Sequence, residues 1–503
     1  MLRYKNTNVT KTENYNQAWK TVKLFVPKVR ASLFEIGTPF GKIARFFNGG
    51  VMNLRSFAAV FAFFTLFFLS AGCENIVHEE CSQANINRHA YAFMQDWYLW
   101  YDHLPDIDVS QFASLSEMIS AVKYVDNETV IDRFSYALKK QEHDDYYAGK
   151  RYGMGFSMVR DENSDIYVTI VYPEGPAGKA GMRRGQKILS LNGVTVQELD
   201  ENQDYNHQHK GEDGFVEKPD WNNIYDAENK GEEVFFKVLD SSEGEKEFSV
   251  ILDDYTMNSV LAVSVLEHHG AKVGYLHFKS FIKLSPDELD AAFAQFKEAG
   301  IDELVVDMRY NGGGLVSVAE HLIDLIGGAT VNDEKIIKIL YNDKHTDSNY
   351  SYKGKKLPGS LDKINKIVFI TTRGTASASE MVINALTPYF DVALVGEMTY
   401  GKPVGMNSMS FCDQTIVPIT FKSANSQDYG DYFLGMEVDC GSADDYRHDF
   451  GDPEEASVRE ALYLLENGRC SENAALKSAG RAKYLEERIP VELKGTGKID
   501  YTL

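Results

Sequence analysis

The spacing of apolar positions along the chain changes twice. Between residues 83 and 150, apolar and aromatic side chains recur at helical spacing, as in HAYAFMQDWYLWYDHLP. From 151 to 256 they form short runs separated by Gly, Asn and Asp, a pattern typical of β-strands. From 257 to 470, strand-like runs such as ELVVDM alternate with helical stretches, which predicts βαβ units and a mostly parallel sheet. The pattern therefore predicts an α/β and α+β multidomain protein.

Local signals refine two of these regions. In the core, Ser285 suits a helix N-cap, Pro286 the first helical position and Gly300 the helix end. In the helical region, one aromatic cluster has two interpretations, a ligand-stacking surface or an aromatic core, and the spacing favours the core. The cluster consists of Trp97, Tyr98, Trp100 and Tyr101.

An apolar stretch near the front of the chain is typical of an export signal. Phe57–Leu69 follows Arg55 and is too short to span a bilayer comfortably. The small residues that precede Cys73 resemble a bacterial lipobox, in which the cysteine is lipidated and becomes the mature N-terminus. The alternative is a buried apolar helix. The export interpretation makes Met52 a plausible start and predicts a membrane-anchored lipoprotein, periplasmic or on the cell surface.

Charge separates the front of the chain from the rest. The formal net charge of the 503 residues is -22, which argues against nucleic acid as a partner because phosphates would be repelled. Residues 1–51, in contrast, contain nine Lys/Arg and two Asp/Glu, a net charge of +7. This stretch is interpreted as an upstream extension that is not translated when synthesis starts at Met52.

The cysteines predict disulfides and give no metal site. An exported protein enters an oxidising compartment, where cysteines pair. With Cys73 lipidated, Cys412 and Cys440 flank one segment and are the pair that we predict, while Cys81 and Cys470 remain. The sequence contains no CxxC or HExxH motif, so we predict neither a metal nor a cofactor.

Residues 173–193, PEGPAGKAGMRRGQKILSLNG, combine a short helix with turns at Gly185 and at Asn192-Gly193, between predicted strands. This arrangement resembles a PDZ domain. The resemblance implies that a glycine-containing loop binds the C-terminal carboxylate of a peptide through backbone N–H groups. The alternative is a small β-domain that only packs against its neighbour. The substrate-binding residues implied are Gly153, Met154, Gly155 and Phe156.

Three glycine- or hydroxyl-rich turns directly follow three strands of the predicted core, at 309–314, 373–379 and 398–405. Parallel strands end at one edge of a sheet, where α/β proteins place their ligands. Neighbouring strands lie ~4.8 Å apart. Ser377 and Lys402 follow consecutive strands, so we expect the lysine to reach the serine although 25 positions separate them.

A serine beside a lysine can act as a nucleophile beside a base. The lysine must be neutral, and only burial lowers its pKa from ~10.4 far enough. No acid is adjacent to Lys402 in sequence; the nearest is Glu397. Oxyanion donors are available from the N–H of Ala378 and from Gly312 or Gly313. Ser379 and a Ser-His pair remain alternatives, the histidines in question being His268, His269, His277, His321, His345 and His448.

The motifs TASASE, a Gly-Lys 25 residues after the first serine of SASE, and DMRYNGGG resemble the C-terminal processing (tail-specific) serine peptidases over about residues 85–470. The resemblance implies a ClpP/crotonase-like peptidase core, with Ser377 as nucleophile and Lys402 as general base. It also implies Ala378 and Gly313 as the oxyanion hole. One departure is Met406, where many members carry a glutamine that positions the lysine.

Each motif also has a plain structural interpretation. Ser377-Ala378-Ser379-Glu380 fits a capping box, and a glycine-flanked lysine or a triglycine fits a surface turn. Their conjunction predicts a serine endopeptidase whose polypeptide substrates are presented by a PDZ domain. The alternative function is a catalytically impaired, peptide-binding lipoprotein. The sequence leaves the oligomeric state open.

These interpretations divide the chain into seven segments. They are an upstream extension (1–51), a lipoprotein signal peptide (52–72), a linker (73–84), a helical domain (85–150), a PDZ-like domain (151–256) with a polar insertion (200–232), a peptidase core (257–470) and a C-terminal tail (471–503).

Overall fold

The structure, a computed structural model, describes most of the chain after residue 80. The described ranges are 81–126, 129–161, 163–198, 230–364 and 366–474. Several predicted features lie wholly or largely outside them: the extension 1–51, the signal peptide 52–72, Cys73, the insertion 200–232 and the tail 471–503. Within these ranges no helix combines the length and the apolar character needed to cross a membrane.

The N-terminal region is helical and packs around an aromatic core. Ser82 and Ser114 cap the first two α-helices by accepting backbone N–H groups with their hydroxyls. Tyr98 is fully buried, which confirms the core interpretation of the aromatic cluster for this residue. The elements are α1 (Gln83–Trp97), α2 (Leu115–Val122), α3 (Lys140–Tyr147), the 3₁₀ turns Tyr101–His103 and Val109–Gln111, and the strands β1 (Val125–Asp126), β2 (Thr129–Val130) and β3 (Tyr136–Lys139).

The PDZ region is β-rich, as predicted. Along one of its long strands, Val234, Phe236 and Val238 point into the core and alternate with more exposed residues, which is the period of a half-buried strand. Asn192 and Gly193 both have positive φ, which confirms the predicted turn. The elements are β4 (Lys150–Gly153), β5 (Phe156–Arg160), β6 (Ile166–Val171), α4 (Pro176–Lys179), β7 (Lys187–Leu191), β8 (Val194–Thr195), β9 (Glu233–Asp240), β10 (Gly244–Ile251) and β11 (Asp253–Thr256).

The main sheets of the PDZ region and of the core differ in strand direction. The PDZ sheet is antiparallel, in the order β10-β9-β7-β6-β5, and β4 pairs with β11. The core contains a six-stranded sheet whose strands run parallel except at one edge, as predicted from the βαβ pattern. Its spatial order is β12 (Val260–His268), β13 (Ala271–Phe278), β14 (Glu303–Asp307), β17 (Lys366–Thr371), β18 (Asp391–Gly396) and β23 (Cys440–Gly441).

Helices cover both faces of this core sheet. The helices are α5 (Ser285–Ala299), α6 (Val316–Val331), α7 (Ala378–Leu386) and α8 (Ala456–Asn467); the remaining elements are β15 (Lys335–Tyr341), the 3₁₀ turn Asp343–Ser348, β16 (Tyr350–Lys353), β19 (Val404–Met406), β20 (Met409–Phe411), β21 (Gln414–Val417) and β22 (Ile419–Asn425). Alternate strand residues such as Val306 and Phe369 pack against α5, α6 and α7, while Val305 and Val368 pack against α8. A second sheet completes the core, in the order β16-β15-β22-β19.

The helical region is joined to the core by strand pairing, a disulfide and a shared hydrophobic cluster. Strand β3 pairs with β21 of the core in a sheet of order β20-β21-β3. Cys81 is bonded to Cys412, 331 positions away. Core residues Val404, Ile416 and Ile419 pack in the same cluster as the buried residues of α1 and α2. The described residues between 81 and 474 consequently form one compact unit.

The structure corrects two predictions. Cys412 does not pair with Cys440, because Cys440 is bonded to Cys470. Ser285 is not the N-cap of α5: the helix begins at Ser285, and its hydroxyl donates to the carbonyl of Ser280, which closes the preceding loop. The predicted end of this helix is confirmed, since Gly300 adopts a left-handed conformation there.

Candidate active site

Three strand ends bring the predicted site residues to one edge of the core sheet. Strands β14, β17 and β18 are parallel neighbours. The triglycine turn, the turn before α7 and the loop that carries Lys402 follow these three strands in that order. The predicted adjacency of the three turns is therefore confirmed by the topology, for the physical reason given above.

Ser377 has a strained backbone at the start of α7. Its φ is 58° and its ψ is -114°, values that a residue with a side chain rarely adopts. The turn is stabilised from two sides. The Ala376 N–H donates to the carbonyl of Asn311 at 3.0 Å, and the Ser377 N–H donates to Glu380 Oε2 at 2.9 Å. The serine is thus held in a tight turn between strand and helix, on the wall of a large cavity.

The triglycine turn lies directly against this serine turn. Gly313 has a φ of 96°, and a Cβ placed there would lie 2.8 Å from the Ala378 nitrogen and 2.9 Å from Ser377 Cβ. Only glycine permits both the conformation and the approach. The N–H of Gly313 donates to Asn311 Oδ1 at 2.9 Å, so a substrate oxyanion would compete with that oxygen for the donor. Ala378 is the first residue of α7, and its N–H has no acceptor within the helix.

Glu380 connects the serine turn to the lysine loop, a role that sequence reasoning missed. Its carboxylate is fully buried and accepts four hydrogen bonds. The bonds come from the backbone N–H groups of Ser377 (2.9 Å), Gly401 (2.7 Å) and Lys402 (2.8 Å) and from the hydroxyl of Thr399 (2.6 Å). Burial raises the pKa of Glu380, while these donors favour its ionised form. The capping-box pattern was the available signal, but it showed only the bond to Ser377.

Lys402 lies in largely apolar surroundings. Its Nζ contacts Met406 Sδ at 3.5 Å and lies 5.6 Å from the centre of the Phe134 ring. Burial lowers the pKa of Lys402 to about 8, against the opposing effect of the Asp132 and Glu380 carboxylates. A substantial fraction of the amine is therefore neutral near pH 8, as a general base requires.

Ser377 and Lys402 line the same cavity, but they are not hydrogen-bonded. Among the described residues, the hydrogen bond of the Lys402 amine is to Met406. The cavity measures about 1740 Å³ and also contacts Ala378 and Gly313. The predicted catalytic residues are thus brought together around one space.

The same cavity reaches the PDZ region. The predicted carboxylate-binding residues lie on its wall, together with Lys279 and Arg151. Burial lowers the pKa of Lys279 to about 8, and the nearby Arg151 guanidinium acts in the same direction. A continuous space therefore joins the glycine-containing loop to the serine turn. The loop residues on the wall are Gly153, Met154, Gly155 and Phe156.

The alternative nucleophile and bases fit less well. Ser379 is fully buried and donates its hydroxyl to the Asn311 carbonyl at 2.9 Å, so it supports the triglycine turn. None of the six histidines considered above lines the cavity. His277 is buried under Phe450, with ring centroids 3.8 Å apart, and His345 stacks on Trp97 at 3.6 Å.

Two side-chain groups of the described residues have the composition of metal ligands, and both lie away from the cavity. His268, His269 and Glu466 meet at the surface, where ring nitrogens of the two histidines lie 3.4 and 3.2 Å from the glutamate oxygens. In the other group, Glu460 lies beside the Cys440–Cys470 disulfide.

Comparison with known families identifies the architecture. The model of peptidase family S41 matches residues 272–440, and that of the peptidase S41 N-terminal domain matches residues 85–136. The chain therefore contains an S41 peptidase domain and the N-terminal domain of that family. A PDZ domain model matches residues 167–213, in the S41 protein's β-rich region. The resemblance drawn from the motifs is thereby confirmed.

Individual relatives agree with this assignment. The S41 protein is 27% identical over 288 residues to the chloroplastic C-terminal processing peptidase of Tetradesmus obliquus, covering 54% of this chain and 56% of that one. It is 23% identical over 268 residues to the carboxy-terminal processing protease CtpA of Bacillus subtilis strain 168, covering 53% and 51%. The match thus spans little more than half the length of these curated relatives.

A solved structure shares the fold. A candidate S41 protease from Bacteroides fragilis NCTC 9343 superposes with a TM-score of 0.61 at 20% identity, covering 75% of this chain and 97% of that one. The three-part architecture of helical region, PDZ domain and peptidase core is therefore that of the family.

Proposed function

We propose that this S41 protein is a serine endopeptidase that uses Ser377 as nucleophile and Lys402 as general base. One observation carries the proposal: a strained serine and a partly buried lysine of lowered pKa face one cavity that also reaches the PDZ loop. The strained backbone of Ser377 and the desolvated amine of Lys402 both cost folding free energy, and packing alone would require neither.

In the proposed reaction, the neutral Lys402 amine takes the proton of the Ser377 hydroxyl as its oxygen attacks the scissile carbonyl carbon. The N–H groups of Ala378 and Gly313 stabilise the resulting oxyanion, the latter after exchanging Asn311 Oδ1 for the substrate. The C–N bond then breaks, and the lysine ammonium returns the proton to the departing amine. Water, deprotonated by the same lysine, releases the acyl group and restores the serine.

We further propose that substrates enter through the PDZ domain. Backbone N–H groups of the loop at Gly153–Phe156 would bind a terminal carboxylate. Strand β5, which is the edge strand of its sheet in the part of the chain that the structure describes, would pair with the chain that carries the carboxylate. The cavity then leads the bound segment towards Ser377. Polypeptides with accessible C-terminal tails or exposed segments are the substrate class that this path accepts.

The test compares the wild type with Ser377→Ala and Lys402→Ala on an unfolded protein such as casein. We expect cleavage by the wild type alone, with kcat/KM rising through pH 8 as Lys402 loses its proton. Equal cleavage by all three proteins would refute the dyad. Failure of the wild type to cleave, with peptide binding retained, would favour the alternative of an impaired peptide-binding protein, which is motivated by Met406.

We also propose that the protein is exported and lipid-anchored at Cys73. The signal-like segment 52–72 motivates this, and the two disulfides are compatible with an oxidising compartment. Metabolic labelling with palmitate should mark the wild type but not Cys73→Ala. Label on both proteins, or on neither, would contradict the anchor.

A further inference from the structure

We propose that the helical N-terminal region is part of the catalytic machinery, because Phe134 shields the Lys402 amine from water and thereby keeps it able to act as a base. Phe134 is a positioning residue in this role, since it acts through the lysine. The inference rests on the proposed Ser-Lys chemistry and assigns a function to a region outside the peptidase core.

The first argument is the composition of the space around the amine. The Phe134 ring lies 5.6 Å from Nζ, and the Met406 thioether contacts Nζ at 3.5 Å. Phe134 itself is 5% exposed, so the ring is fixed within its own hydrophobic cluster. A weak sulfur acceptor and an aromatic ring replace much of the hydration that an ammonium would have in water.

The second argument is the attachment of Phe134 to the lysine loop. Its neighbour Arg133 donates to the carbonyls of Tyr400 (3.2 Å), Gly401 (3.0 Å) and Phe433 (2.9 Å). The guanidinium also lies 4.8 Å from the centre of the Tyr400 ring. A side chain of the helical region thus satisfies backbone acceptors immediately before Lys402 and fixes the loop against Phe134.

The third argument is the rigidity of the segment that presents both residues. Asp132 is fully buried, and its carboxylate accepts the N–H groups of Phe134 (3.0 Å) and Ser135 (2.9 Å) and the hydroxyl of Tyr98 (2.6 Å). Strand β3 begins directly afterwards and pairs with β21 of the core. The position of the ring is therefore set by the fold of the whole N-terminal region.

Two effects of the ring on the amine oppose each other. The face of an aromatic ring attracts an ammonium at this distance, whereas exclusion of water disfavours it. The carboxylates of Asp132 and Glu380 also favour the charged form. A nearby cation disfavours it, and the Arg133 guanidinium lies 5.1 Å from the centre of the Phe134 ring. Burial is the largest of the effects on Lys402, and on balance its pKa is lowered. Burial thus outweighs the charges that favour the ammonium, and the Phe134 ring, 5.6 Å from Nζ, is part of the packing that buries the amine.

Two substitutions separate these effects. Phe134→Leu removes the aromatic face but keeps the apolar wall, so the midpoint of the rise of kcat/KM with pH should stay in place or fall. Phe134→Ala admits water, so the midpoint should rise by about one pH unit, which makes the neutral amine about tenfold rarer at pH 7. Leu115→Ala truncates another buried residue of the same cluster, away from the cavity, and should leave the midpoint unchanged.

A second measurement does not require turnover. In the Ser377→Ala background, the acetylation rate of Lys402 is followed against pH by peptide mass spectrometry, with circular dichroism to confirm folding. The labelling midpoint should rise for Phe134→Ala only. Midpoints that coincide in all variants, or that fall for both Phe134 substitutions, would overturn the inference. If the wild type does not cleave casein, the proposed function fails, while the labelling profile still tests the shielding of the amine.

Discussion

Glu380 offers a sharp test of how the active site is assembled. In Glu380→Gln, the oxygen facing Ser377 and Lys402 is retained, and the new amide group faces Thr399 and Gly401. The Thr399 hydroxyl can rotate and accept from the amide, but the Gly401 N–H loses its acceptor. Both orientations of the amide leave at least one buried donor unpaired.

The magnitude follows from these contacts. An unpaired buried N–H costs about 1–3 kcal/mol, and two charge-assisted bonds become neutral ones at about 1 kcal/mol each. A neutral amide costs less to bury than a carboxylate, so about 2–4 kcal/mol remains as the net penalty. If this penalty is borne by the serine turn and the lysine loop, kcat/KM falls about 30- to 1000-fold.

The direction in which the pH profile of kcat/KM shifts provides an independent test. The Glu380 carboxylate raises the pKa of Lys402, so its removal should move the midpoint of the rise of kcat/KM below that of the wild type. We therefore expect a lower kcat/KM that rises at a lower pH than in the wild type. General destabilisation would lower kcat/KM without moving the midpoint of its rise. Glu298→Gln, which neutralises an exposed glutamate in α5, serves as the matched control. Wild-type kcat/KM together with an unshifted midpoint would refute this assignment of Glu380.

Three further outcomes are expected. Met406→Gln should raise kcat about three- to tenfold, because an amide oxygen accepts a hydrogen bond from the lysine amine more strongly than a thioether does. Single-turnover kinetics measure the rate, and an unchanged or lower rate would contradict the prediction. Gly155→Ala should weaken the binding of tailed peptides at least tenfold in fluorescence anisotropy, because φ at this position is 79° and the new Cβ would lie 2.9 Å from Gly175 Cα. Cleavage of a short ester without a tail should persist, and undiminished tail binding would exclude this loop as the carboxylate site. Replacing both cysteines of the Cys81–Cys412 disulfide with serine should lower the free energy of unfolding by about 2–5 kcal/mol in urea titrations. A loss below about 1 kcal/mol would contradict this and show that strand pairing holds the helical region without the disulfide.

The sequence determined the order of the structural regions along the chain and the edge of the sheet at which the site residues meet. Strand-like runs, each followed by a glycine- or hydroxyl-rich turn, require parallel strands whose ends share an edge, so the neighbourhood of Ser377, Lys402 and the triglycine turn could be predicted. Those predictions succeed because they depend on local periodicity and on the geometry of βαβ units. The PDZ region followed from its strands and turns in the same way.

The tertiary structure alone decided what surrounds the lysine. Phe134 and Arg133 are 268 and 269 positions from Lys402, and no local pattern connects an aromatic residue in the helical region with a base in the core. The same holds for the disulfide partners, which depend on the distance between Cα atoms in the folded chain, and for the additional donors that Glu380 satisfies. The pKa of a buried amine is set by everything packed against it, and residues far apart in sequence supply most of that packing.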